Sequence, residues 1–153
     1  MALRKGDKAP PVKLPAKPGE VVEARIGRDK VVLLFFPFAF SSVCTEEMCQ
    51  MRESWDDWED LNAQVLGISV DSPFVTDRFR TAEKIPFPIL SDFNKEVVQR
   101  YGVFHEDLKG LKGVAKRSAF VIGRDGKVVY AWSTEDPKVQ VPFEEVRKAV
   151  KAT

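Results

Sequence analysis

A chain of 153 residues, 44% hydrophobic and 31% charged, is long enough to bury a real core as one domain, 1–153, and has the balance of a soluble globular protein. Its 24 Lys and Arg against 23 Asp and Glu leave a net charge of +1, which offers neither a basic field for nucleic acid nor an acidic tail. The longest apolar run, VVLLFFPFAF at 31–40, is too short to span a bilayer and contains Pro37. MALRKGDKAPP has no apolar core of a secretion signal. A cytoplasmic, reducing location is therefore expected, where two close cysteines point to reactivity rather than to a staple.

The opening KGDKAPPVKLPAKPGEVVEARIGRDK mixes Pro, Gly and charge with β-branched pieces around Val12 and at Val21–Val22. It reads as an N-terminal β-hairpin on the surface, held by Pro10 and Pro11. VVLLFF (31–36) is continuously apolar, as in a central strand covered on both faces. From Ser41 or Ser42, either a fitting N-cap, the pattern predicts a helix to about Leu61. Its apolar stripe is Met48, Met51, Trp55 and Trp58, and Cys44 extends it backward.

VLGISVD (65–71) predicts a second buried strand and FVTDRFRTAEK (74–84) a helix. Ile89–Leu90 fits a third strand, and NKEVVQRYG (94–102) a helix stopped by Gly102. His105, the only histidine, falls in the polar stretch FHEDLKG and is expected at the surface. SAFVI (118–122) and VVYAW (128–132) form a hairpin around Arg124-Asp125-Gly126-Lys127. PFEEVRKAVKA (142–152) predicts an amphipathic closing helix with Pro142 near its start. The order predicts an α/β fold, a central mixed sheet flanked by helices, compatible with a thioredoxin-like topology.

Both cysteines, Cys44 and Cys49, lie just beyond the first central strand. In the first turn of a helix, unpaired backbone N–H groups and the helix dipole favour thiolate over thiol at Cys44. Glu46 and Glu47 oppose this, and no Lys or Arg in the motif precedes Arg52, so a cation must come from elsewhere in the fold. Arg117, at the head of SAFVI, is the candidate, because strand ends and helix N-termini meet at one edge of such a sheet. In an intact helix, residues five apart have Cα atoms roughly 8–9 Å apart. A disulfide wants them within about 7 Å. If Cys44 and Cys49 do bond, the first turns must unwind.

Pro37-Phe38-Ala39-Phe40-Ser41-Ser42-Val43-Cys44 resembles the peroxiredoxin active-site pattern Pro-x-x-x-Thr/Ser-x-x-Cys. Cys44-Thr45-Glu46-Glu47-Met48-Cys49 resembles the bacterioferritin comigratory protein, or peroxiredoxin Q, subgroup. Gly6-Asp7-Lys8-Ala9-Pro10, Phe87-Pro88-Ile89-Leu90-Ser91-Asp92 and Tyr101-Gly102-Val103 are similar to further landmarks, so the likeness covers nearly the whole chain. The motif's surroundings also resemble the alkyl hydroperoxide reductase E group.

The resemblance implies a thiol-dependent peroxidase acting on hydrogen peroxide and organic hydroperoxides without metal or organic cofactor. Cys44 would attack the peroxide and become a sulfenic acid. Ser41, in place of the commoner Thr, would hydrogen-bond the sulfur and peroxide, and Arg117 would stabilise the charge. Pro37 would shield the pocket, backbone N–H groups of Val43 and Cys44 would complete the cradle, and Glu47 would orient an arginine. Cys49 would resolve the sulfenic acid as an intramolecular disulfide, reduced by thioredoxin or a glutaredoxin-like protein. Monomer and homodimer both stay open.

Competing readings are a one-cysteine peroxidase recycled by an external thiol, a thiol–disulfide oxidoreductase, and a non-enzymatic binding domain. The oxidoreductase is weakened by Cys-x₄-Cys spacing. Two cysteines and one distant histidine are a poor zinc set. Phe36, Phe38 and Phe40 could furnish an apolar collar for organic hydroperoxides or simply fill the core.

Overall fold

The structure, a computed structural model, describes residues 2–153. Five strands form the central sheet: β3 (Lys30–Phe35), β4 (Ala63–Ser69), β5 (Ile89–Ser91), β6 (Ser118–Ile122) and β7 (Val128–Ser133). They lie in the order β5-β4-β3-β6-β7. β3, β4 and β5 run parallel, while β6 and β7 are antiparallel to their neighbours. β1 (Lys13–Lys17) and β2 (Glu20–Glu23) pair as the separate N-terminal hairpin.

Side chains alternate across β3, and each set starts a core. Leu33 and Phe35 meet Leu66, Ile68, Phe120 and Ile122 on one face, beneath Tyr101 and the N-terminal segment. Val32, Leu34 and Phe36 pack on the other against Met48, Phe79 and Val146. Those three belong to α1 (Ser42–Glu53), α3 (Pro73–Ala82) and α5 (Phe143–Ala152). The continuous apolar run of β3 is thus the strand buried on both sides, as its sequence predicts.

Three local expectations need correction. The helix expected from Ser41 or Ser42 to Leu61 is two helices, α1 and α2 (Trp55–Glu59), divided at Ser54. The Ser54 hydroxyl donates back to the Gln50 carbonyl at 2.8 Å, a bond that competes with the helix ladder and bends it. The break seats Trp55 against Phe87, ring centroids 5.6 Å apart.

The helix expected over 94–102 shrinks to α4 (Val97–Tyr101). The Asp92 carboxylate takes the N–H groups of Glu96, Val97 and Val98 and fixes where helical pairing starts. Gly102 ends α4 in the left-handed region, φ 69°, as expected of a helix-stopping glycine.

His105 is buried, not exposed. Phe104 bridges Ala115, and His105 exchanges backbone bonds with Val114 and Gly113. That pairing pulls the ring inward, and its Nε2 has no hydrogen-bond partner. Burial pushes the imidazole pKa down, partly offset by Glu135 and reinforced by Lys116. The folded ring is therefore held neutral, whereas the unfolded one takes up a proton near pH 6.5. Its contribution to stability is complete above that value and is lost as pH falls toward the lower folded value. Between pH 7.5 and 5.5 the denaturation midpoint should fall, and should fall less steeply in His105→Gln, as read by urea titration of the reduced protein.

Candidate active site

The chain leaves β3 at the edge where the parallel strands end, turns through 36–41, and enters α1. Phe40 sits in that turn at φ 67°, a left-handed conformation that costs a bulky residue about 1–3 kcal/mol. Ser41 takes the N-cap position with extended backbone, and Thr45 N–H donates to its carbonyl at 2.9 Å. Cys44 is the third helical residue, among backbone N–H groups that have no acceptor within the helix. Its side chain faces the core and is wholly buried.

The cation absent from the motif arrives from the strand beside β3, distant in sequence but at the same edge of the sheet. Arg117 precedes β6, the antiparallel partner of β3. Its Nη2 donates to Cys44 Sγ at 3.2 Å, and its Nη1 to Glu47 Oε2 at 2.6 Å. Both Arg117 and Glu47 are 1% exposed. The guanidinium also donates to the Pro137 carbonyl, at 2.8 Å from Nη2 and 3.2 Å from Nε. Glu47 Oε1 accepts the Val141 N–H at 2.8 Å.

Burial opposes the guanidinium charge, but Glu47 and Cys44 overcome it and the Arg117 pKa is raised. Burial raises the Glu47 carboxyl, against the pull of Arg117 and the Val141 N–H. One buried network thus joins the sulfur, the helix that carries it, the head of β6 and the 137–141 segment.

Pro37, Ser41 and Arg117 share one cleft of about 280 Å³. Pro37 is buried and Ser41 exposed. The Ser41 hydroxyl donates to the Phe38 carbonyl at 2.9 Å rather than to the sulfur. The rest of the wall is Phe38, Ser42, Val43, Leu108, Lys109, Leu111, Pro137 and Lys138. Leu108 and Leu111 flank a two-residue turn, exchanging backbone bonds of 2.8 and 3.0 Å. Lys109 and Gly110 both have positive φ, 53° and 89°, as in a type I′ hairpin turn. Of the three phenylalanines, only Phe38 reaches the cleft. Phe36 is core, and both Phe36 and Phe40 pack on Phe79.

Cys49 lies one turn further along α1, half-buried and separate from Cys44, and both thiols are free. α1 is unbroken across the pair. The Cys49 thiol donates to Glu83 Oε1 at 3.7 Å, and Arg52 Nη1 donates to the Glu83 carbonyl at 2.6 Å. The roles of Pro137, Val141 and the Leu108–Leu111 turn were not anticipated from sequence. The Leu-Lys-Gly-Leu string was the available sign for the turn, whereas two backbone groups facing an ion pair leave no trace in residue type.

A thioredoxin-like sheet that sets a helix-borne thiol against a buried arginine defines a peroxiredoxin-type thiol peroxidase. The chain belongs to the AhpC/TSA family, whose model matches residues 5–131. It is 34% identical to peroxiredoxin Bcp of Escherichia coli K12 over 134 residues, 85% of each chain. It is 37% identical to alkyl hydroperoxide reductase E of Mycobacterium bovis over 107 residues, 69% of this chain and 67% of that one. The crystal structure of peroxidoxin BcpB from Mycobacterium tuberculosis matches with a TM-score of 0.86 at 28% identity, covering 98% of this chain and 97% of that one. Thiol-dependent peroxidase activity follows from family and fold together. Among the described residues, no helix is long and apolar enough to cross a membrane.

Replacing Arg117 should be doubly costly. Arg117→Met strands the Glu47 carboxylate in the core, which should cost about 3–5 kcal/mol by chemical denaturation. The same change should slow oxidation of Cys44 by hydrogen peroxide about a hundredfold or more, as measured by stopped flow.

Proposed function

We propose that Cys44 is the sulfur the peroxide oxidises and Cys49 the thiol that resolves the product. In the first step the Cys44 thiolate attacks the outer oxygen of the hydroperoxide and the O–O bond breaks. Cys44 becomes a sulfenic acid, and the leaving alkoxide or hydroxide takes a proton to depart as alcohol or water. The 3.2 Å contact between Arg117 Nη2 and Cys44 Sγ is the observation that carries this reading. A fixed guanidinium N–H beside the sulfur meets the charge that moves onto the leaving oxygen, and being already in place it needs no reorganisation.

Ser41, at the mouth of the same cleft, is positioned to offer its hydroxyl to a bound peroxide after a rotation away from the Phe38 carbonyl. Pro37 walls the loop side and limits water. The Val43 and Cys44 N–H groups complete the polar lining.

In the second step the Cys49 thiol attacks the sulfenic sulfur, the disulfide forms, and the hydroxyl leaves with the thiol proton as water. An α-helix holds such a pair too far apart, so the opening turns of α1 unwind first. A dithiol protein of the thioredoxin or glutaredoxin kind then returns both cysteines to thiols, and a reducing compartment such as the cytoplasm suits that cycle. The one-cysteine alternative draws on the Cys49–Glu83 contact, which gives Cys49 a partner other than Cys44.

Intact mass after one equivalent of hydrogen peroxide separates the two. The two-cysteine cycle gives loss of two hydrogens within one chain, abolished in Cys49→Ser, where a sulfenic-acid trap then marks Cys44. A trapped Cys44 in the unsubstituted chain, without disulfide, would assign resolution to an external thiol.

The apolar wall supports organic hydroperoxides as well as hydrogen peroxide. Leu111 is 50% exposed at the rim, available to an alkyl group and irrelevant to a substrate without one. Leu111→Ser should lower kcat/KM for cumene hydroperoxide about three- to tenfold, the scale of one apolar contact. Hydrogen peroxide turnover should not change.

A further inference from the structure

The left-handed Phe40 lies one residue before Ser41 and four before Cys44, and such a conformation lasts only where its surroundings over-determine it. The Ala39 N–H donates to Asp71 Oδ2 at 2.7 Å, the one bond to a side chain that ties this turn to the neighbouring strand end among the described residues; the Phe36 N–H donates to the Ile68 carbonyl at 3.0 Å at the turn's start. The same oxygen accepts the Ser69 hydroxyl at 2.8 Å. Ser69, wholly buried at the end of β4, also accepts the Asp71 N–H at 3.3 Å. From the end of β5, the Ser91 hydroxyl holds the Asp71 carbonyl at 2.5 Å. Asp71 is therefore held from two strands, its carboxylate by Ser69 and its backbone by Ser91, before it reaches the turn. The Phe40 ring, packed edge-on against Phe79 with centroids 5.0 Å apart, secures the other side.

We propose that Asp71 is a positioning residue for the peroxide step: by fixing the Ala39 N–H it holds the Ala39–Phe40–Ser41 turn that presents Ser41 beside the helix start carrying Cys44. It is not a catalytic residue, since its contacts stop at Ala39. The inference rests on the assignment of Cys44 and Ser41 made above. Arg117 reaches the sulfur from β6, independently of Asp71, so loss of Asp71 spares the guanidinium contact. The intrinsic reactivity of the sulfur then stays, and what declines is its ability to receive a peroxide in the correct orientation.

Two reagents applied to the reduced full chain separate these effects. Iodoacetamide reports how readily the buried Cys44 sulfur is reached and how nucleophilic it is, whereas hydrogen peroxide also requires the aligned turn. In Asp71→Ala, oxidation of Cys44 by hydrogen peroxide should fall about tenfold or more, while its alkylation stays within about threefold of the unsubstituted chain. Asp71→Asn keeps an oxygen for the Ala39 N–H and should retain most of the peroxide rate. Ser69→Ala, which removes one support of the carboxylate and leaves the acid in place, should give a smaller selective loss and serves if Asp71→Ala does not fold. Equal losses toward both reagents, an unchanged peroxide rate in Asp71→Ala, or an Asn variant as slow as the Ala variant would each overturn the inference. A failed Cys44 assignment is separable, because it would appear in the unsubstituted chain as no oxidation of Cys44 by peroxide.

Discussion

The ion pair between Arg117 and Glu47 is the constraint on which the rest of the site depends. A guanidinium and a carboxylate at 1% exposure are costly to desolvate. Burial is offset by the hydrogen bonds each partner makes: both Glu47 oxygens accept one, and the guanidinium donates four. Glu47 uses one oxygen for Arg117 and the other for Val141, and Arg117 also donates to the Pro137 carbonyl and to Cys44. The sulfur is thus one acceptor of a guanidinium already held by Glu47 and Pro137. Helix α1, strand β6 and the segment before α5 cannot shift independently without leaving a charge unpaired.

That arrangement reconciles acidic neighbours with the role proposed for the Cys44 thiol. Glu46 and Glu47 stand close to Cys44 in sequence, yet the helix sends them to different places. Glu46 is exposed, and its carboxylate accepts from Gln140 at 3.1 Å. Glu47 turns inward and is neutralised by the very group that serves the sulfur. Three residues along a helix is the spacing at which two side chains share a face, so one arginine can meet both.

The strands and the order of the helices were legible because their signals are local. β3 announces itself by an unbroken apolar run, and the β6–β7 hairpin by its Asp-Gly turn. Cys44, Pro37 and Ser41 were legible as a motif, and Arg117 from the rule that strand heads and helix starts share an edge. The split at Ser54 was hidden, because the Met48, Met51, Trp55, Trp58 spacing continues through it as if nothing happened. Burial of His105 was hidden as well: a polar string such as His-Glu-Asp gives no hint that a backbone bridge will draw its first member inward. Tertiary hydrogen bonding decided both, and it has no periodicity to read.

The break at Ser54 also sets the extent of melting in the proposed cycle. A continuous helix to Leu61 would pass the loss of its first turns along a ladder of successive bonds, loosening Trp55 and Trp58 from the core. Ending α1 at Glu53 leaves α2 its own separate turn, with Trp58 buried and Trp55 stacked on Phe87. It acts as a firebreak: disorder that begins at Cys44 has at most twelve helical residues to consume. The proposed rearrangement of the active end would then leave the sheet and the remaining helices folded, so wear at the site and global stability would be separately tunable properties of one small chain.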